Sequence, residues 1–134
     1  MLISLYPGRA VNQTLAIAAG GAAGAVLRFW MSNGVYAVLG RGFPYGTLAV
    51  NVLGSLLMGY LYIAMIERMG VGDEWRAFAL IGLLGAFTTF STFSIETLNL
   101  LEQAEYAKAV ANMVLSVLAC LGATFVGVLL ARQV

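Results

Sequence analysis

The sequence predicts an all-α membrane protein with four transmembrane helices in one domain covering residues 1–134. Three observations carry that expectation. Hydrophobic residues make up 61% of the chain and charged residues only 10%, far from the roughly 45–50% and about 25% of a soluble domain. Mean hydropathy is +0.91. The apolar residues fall into four long runs, each near the roughly 20 residues that a membrane-spanning helix needs, rather than into the alternating ten-residue segments of a membrane barrel. Four such helices leave room for short connectors only.

The first run covers about residues 13–39 and contains Arg28 and the Asn33-Gly34 pair. Arg9 precedes it, and no polar tail follows a small-residue site, so it reads as a helix and not as a cleaved signal. Gly40-Arg41-Gly42-Phe43-Pro44 is loop chemistry, with Pro44 suited to opening the next helix. The second span covers about 45–66 and carries Asn51 and Ser55. After a polar connector, the third covers about 74–101 and the fourth about 106–131.

Composition also excludes function classes. Histidine is absent and Cys120 is the one cysteine, so a disulfide framework, multi-cysteine metal sites and the commonest catalytic base are ruled out. No nucleophile–base pair or phosphate loop is present, which argues against an enzyme. An isoelectric point near 7.9 argues against nucleic acid as a partner. Four spans put Arg9, Arg68, Arg76 and Arg132 on one side of the membrane. Arg41 and Lys108 lie on the other, joined by Arg28 if it reaches that interface. So weak a bias fits short loops under a statistical rule, and it also fits copies that insert both ways and pair antiparallel.

Small residues recur at four-residue spacing, in Gly20/Gly24, Ser55/Gly59 and Ala123/Gly127, as expected where helix backbones pack closely in lipid. Polar residues form stripes at the same spacing: Asn51 and Ser55 on the second span, and Asn112, Ser116, Cys120 and Thr124 on the fourth. A lone hydroxyl can bond the carbonyl four residues back, but the amide of Asn51 needs a partner or a substrate. The least ordinary segment is Thr88-Thr89-Phe90-Ser91-Thr92-Phe93-Ser94, with five hydroxyls in seven residues. Such a run offers the backbone alternatives to the helical ladder. A break at membrane depth is tolerated only inside protein or beside a wet cavity. Glu96 is the one carboxylate within reach of membrane depth, so a cation pathway lacks its usual acidic ring. Hydroxyls, amide N–H groups and the positive edges of Phe90 and Phe93 instead make an uncharged, electropositive lining suited to a small anion. Arg28 fits two roles, an arginine snorkelling to the interface or one concentrating anions at a mouth.

Gly20-Gly21-x-x-Gly24-Ala25-x-x-Arg28, Gly46-Thr47-Leu48-x-x-Asn51-x-x-Gly54, and Gly82-x-x-Gly85 followed by Thr88-Thr89-Phe90-Ser91-Thr92-Phe93-Ser94-x-Glu96 together resemble the Fluc/CrcB family of fluoride channels over essentially the whole chain. The resemblance implies a broken third helix and an antiparallel, dual-topology homodimer in the cell inner membrane. Its two pores would passively export fluoride that enters as neutral HF and ionises in the cytoplasm. It places Phe90, Phe93, Asn51 and Ser116 on the fluoride pore, and Ser91 and Thr92 of the same hydroxyl segment are expected to line that pore too. It also implies a structural Na+ at the dimer interface, held by the backbone carbonyls of Gly85 and Thr88. Ala86 stands where the family usually has glycine, Asn112 where several members have tyrosine, and Cys120 where some have serine. Glu96 matches the family pattern without a physical role of its own. Two alternatives have other signatures. A small dual-topology multidrug antiporter needs an acid in its first span, which has none, and a structural membrane subunit would use the Thr/Phe segment for packing alone.

Overall fold

In a computed structural model that describes residues 7–134, every regular element is helical. The first six residues of the expected domain lie outside the described part. Four helical stretches are long and apolar enough to cross a membrane: Gly8–Leu39, Tyr45–Arg68, Asp73–Glu102 and Tyr106–Gln133.

Helix α1 (Pro7–Leu39) starts about a turn and a half before the expected boundary. Proline is tolerated in a first helical turn because its missing N–H would be unpaired there. The helix runs on through Arg28, Asn33 and Gly34, since Asn33 Nδ2 and Ser32 Oγ donate to Phe29 O on their own helix, at 2.8 and 3.3 Å. It stops at Gly40, whose φ of +80° suits glycine and whose N–H donates back to Tyr36 O at 2.9 Å.

Helix α2 (Tyr45–Ile63) continues into a π-helical turn, Ala64–Arg68. The third span is composite. A short α3 (Asp73–Arg76) leads into a π-helical stretch (Ala77–Leu84), then α4 (Gly85–Phe87), then, after two non-helical residues, α5 (Phe90–Glu102). Helix α6 (Tyr106–Gln133) is continuous, and the Arg68 guanidinium donates to the carbonyl of Arg132 in its last turn, where a cation also complements the helix dipole.

Backbone contact at small residues holds the bundle together. On the α2–α6 seam, a Cβ built on Gly59 would lie 2.2 Å from Thr124 O, and one on Gly127 2.2 Å from Leu56 O. On the seam between α1 and the π-helical stretch, Gly20 would meet Phe78 O at 2.2 Å and Gly24 would meet Leu83 O at 2.1 Å. In lipid, where no hydrophobic drive brings helices together, this close approach supplies the van der Waals contact that helps to hold them. Gly127→Leu is accordingly expected to destabilise the fold by at least 1–3 kcal/mol, the usual range for overpacking, because it meets rigid backbone. Thermal unfolding in detergent should show a clear drop in midpoint; an unchanged midpoint would contradict the seam. Val50, Leu84 and Asn112 are the largest fully buried side chains, while α1, α5 and α6 turn Val, Leu and Phe outward as a lipid-facing surface needs.

Candidate ion-pathway site

The site forms where the third span loses its helical backbone. Thr88 (φ −83°, ψ 158°) and Thr89 (φ −152°, ψ 118°) are extended. Local hydroxyls take over the hydrogen bonds that the helix gives up. Thr88 N and Thr88 Oγ1 both donate to Leu84 O, at 3.1 and 3.0 Å, closing α4. Thr89 Oγ1 accepts from Thr92 N at 3.1 Å and so caps α5. Its hydroxyl also bonds Thr92 Oγ1 at 3.0 Å and lies 3.2 Å from Ser91 Oγ. The threonines thus both break the helix and repair its ends.

Asn51 on α2 holds this break from the side. Its Oδ1 accepts from Thr89 N at 2.7 Å and its Nδ2 donates to Thr89 O at 3.0 Å, a two-point match to the backbone N–H and C=O of one residue. Gly54, one turn further, makes room for the contact, since a Cβ there would lie 2.2 Å from Thr88 Cγ2. With Thr89 N–H given to Asn51 and Thr92 N–H given to Thr89 Oγ1, the carbonyls of Gly85 and Thr88 lose their ordinary helical donors. One hydrogen of the Asn51 amide remains beyond its bond to Thr89.

Asn51, Phe90, Phe93, Ser116, Cys120 and Thr124 share the wall of one open cavity of about 450 Å³. The rings of Phe90 and Phe93 lie 5.3 Å apart at 41°, and Phe90 is 78% exposed on the single chain. Ser91 and Thr92, expected on the pore with them, do not line this cavity, because Thr89 Oγ1 engages both hydroxyls beside the helix cap. Thr92 and Thr89 line a second cavity of about 360 Å³ together with Arg28, behind the break, and Ser91 is exposed beside the cap. The stripe on α6 divides. Ser116, Cys120 and Thr124 face the phenylalanine cavity, whereas Asn112 is buried and donates to Thr97 Oγ1 on α5 at 2.9 Å. Ser116 Oγ donates to Asn112 Oδ1 at 3.4 Å, so a hydrogen-bonded thread leaves the cavity and reaches α5.

Beyond that thread lies a cluster that sequence reasoning missed. Tyr36, Thr47 and Glu96 meet at one carboxylate oxygen, and a third cavity of about 300 Å³ opens there beside Arg41 and Lys108. Tyr36 and Glu96 are 60 positions apart, and no spacing rule joins them. No cluster of three or more His, Cys, Asp or Glu side chains able to hold a metal occurs among the described residues.

The family model for CrcB-like protein, Camphor Resistance (CrcB), matches residues 15–128. The chain belongs to the CrcB family. Curated relatives in this family carry the name fluoride-specific ion channel FluC. This CrcB-family chain is 58% identical over 118 residues to the one from Methylococcus capsulatus, 50% over 118 residues to that from Magnetococcus marinus, and 53% over 117 residues to that from Shewanella amazonensis. These matches cover 88%, 88% and 87% of the chain. The chain spans about half the length of the Methylococcus relative (52%), but 96% and 94% of the other two. The motifs on spans one to three therefore resembled the family to which the chain belongs.

Proposed function

We propose that this CrcB-family chain forms a fluoride-selective channel that passively exports fluoride across the cell's inner membrane. The observation that carries the reading is the cavity at the helix break. Its polar lining is uncharged, made of the Asn51 amide, the Ser116 and Thr124 hydroxyls, and the rings of Phe90 and Phe93. A dehydrating fluoride needs donors, which the spare Asn51 N–H, the hydroxyls and the ring edges supply. It must also leave again, which a full positive charge at contact would hinder. Ser91 and Thr92 act one step back, through hydroxyl contacts with Thr89, the residue that caps α5 ahead of Phe90 and Phe93. Arg28, in the cavity behind the break, raises the local potential for anions without touching the phenylalanine wall. The names of the relatives point the same way, to conduction and not to catalysis.

The conducting unit in this reading is an antiparallel, dual-topology homodimer with two pores. Four helices leave the phenylalanine cavity open and Phe90 largely exposed, which a second copy would close. The weak bias of cationic residues between the two ends is compatible with insertion both ways. Gly85 and Thr88 carbonyls, relieved of their helical donors, would hold a structural Na+ where two copies meet. Hard, neutral oxygens of unwound backbone suit that ion. It would supply only fixed positive charge binding the two breaks together.

The test is anion efflux from proteoliposomes loaded with fluoride or with chloride, followed by ion-selective electrodes. Fast fluoride efflux with negligible chloride efflux is expected. Absent fluoride efflux, or chloride leaving as readily, would sink the reading.

A further inference from the structure

Five hydroxyl residues stand on the wall of the phenylalanine cavity: Ser55, Thr88, Thr89, Ser116 and Thr124. An anion takes a hydrogen bond only from a proton that is free to point at it, so the bonds already made inside the protein decide which hydroxyls can serve. Thr88 Oγ1 donates to Leu84 O and Thr124 Oγ1 to Cys120 O, both at 3.0 Å and both to the carbonyl four residues back. Thr89 Oγ1 donates to Thr92 Oγ1 at 3.0 Å, and Ser116 Oγ donates to Asn112 Oδ1 at 3.4 Å. Each of these must give up a bond before it can turn to an ion. Ser55 is the exception. Its hydroxyl has no hydrogen-bond partner among the described residues, although Asn51 O lies four residues back on α2 and Thr14, Ser94 and Thr97 all make the equivalent bond on their helices.

We propose that the Ser55 hydroxyl is an anion-binding group of this cavity, the donor that fluoride meets next after the spare N–H of Asn51. The inference rests on the fluoride-channel reading above and adds a residue to the same path. Ser55 lies well inside the second span, Tyr45–Arg68, where lipid offers a hydroxyl nothing to bond, so its proton needs a partner in the cavity. Asn51 and Ser55 both border that cavity from α2, one helical turn apart. Their donors therefore follow one another along the wall with a rise of about 6 Å. That rise is about two hydrogen-bond lengths, so an ion leaving the first donor comes within reach of the second. Beyond Ser55 the α2 side of the wall continues with Met58, and α6 adds Val117 and Leu121. Ser55 is thus the last free donor that α2 offers before an apolar stretch, where a partly dehydrated anion loses most if a donor is removed.

The experiment is fluoride efflux from proteoliposomes carrying the full chain, paired with thermal unfolding in detergent. Ser55→Ala is expected to slow efflux roughly tenfold, the scale of one hydrogen bond to a charged group. Its unfolding midpoint should stay level or rise, because alanine is the better helix former and no bond within the protein is lost. Ser55→Cys, which keeps the shape and a weak donor, should conduct at a rate between those of Ser55→Ala and wild type. Wild-type efflux from Ser55→Ala overturns the inference. So does slowing accompanied by a lowered midpoint, which would make Ser55 a packing residue, and so does a Ser55→Cys rate no better than that of Ser55→Ala. Wild-type protein that passes no fluoride would instead overturn the channel reading itself.

Discussion

Phe93→Ile is expected to cut fluoride efflux about a hundredfold while leaving a folded protein. Isoleucine fills much of the same volume and keeps the wall of the cavity apolar, so packing against Phe90, 5.3 Å away between ring centroids, is largely preserved. What disappears is the positive ring edge, for which an aliphatic chain has no counterpart. A hundredfold change corresponds to roughly 2.7 kcal/mol on the barrier, which is reasonable for a fixed electrostatic contact in a path that excludes most water. The measurement is the initial efflux rate from fluoride-loaded liposomes at matched protein density, with the size-exclusion profile as control. Efflux at the wild-type rate would remove the ring edge from the mechanism and return Phe93 to the role of packing residue.

That the two phenylalanines share a wall was legible in the sequence, because residues three apart on a helix project to nearly one side. So were the four spans, since length and hydropathy are local properties. The Gly20/Gly24 spacing pointed to close packing, though not to its partner, the π-helical stretch, whose winding follows no rule of spacing. The hydroxyl-rich segment announced competition with the helical ladder. It did not disclose that Asn51 would answer both backbone groups of Thr89 with the two ends of its amide, because that match depends on how α2 lies against the third span. The α6 stripe looked uniform at four-residue spacing, yet Asn112 faces Thr97 and the later members face the cavity, since a four-residue repeat drifts slowly round a helix with 3.6 residues per turn. Tyr36, Gly46, Arg41 and Glu96 could not be joined from sequence at all. Each has an ordinary reading alone: an interfacial aromatic, a turn glycine, a loop charge and a helix acid.

Asn51→Asp is expected to have the larger effect of the two substitutions at the cavity, about a thousandfold loss of fluoride efflux. The change is isosteric, and one of its two bonds survives, because a carboxylate oxygen can still accept from Thr89 N as Oδ1 does at 2.7 Å. The other turns from attraction to repulsion: Nδ2 now donates to Thr89 O at 3.0 Å, and an oxygen in its place would face that carbonyl with no hydrogen between them. The spare N–H available to an anion vanishes at the same time. A unit negative charge about 4 Å from a passing fluoride, at an effective dielectric constant near 20, costs roughly 4 kcal/mol, which is about three decades in rate. Asn51→Ala separates these contributions. It leaves the break without its clamp and adds no charge, so its efflux should fall less than that of Asn51→Asp while its unfolding midpoint falls further, because both bonds to Thr89 are then lost and its backbone N–H and C=O go unpaired. Efflux and thermal unfolding measured on the pair decide the matter. Equal efflux in the two variants would mean that Asn51 serves only to hold the break, and wild-type efflux in Asn51→Asp would take the amide off the anion path altogether.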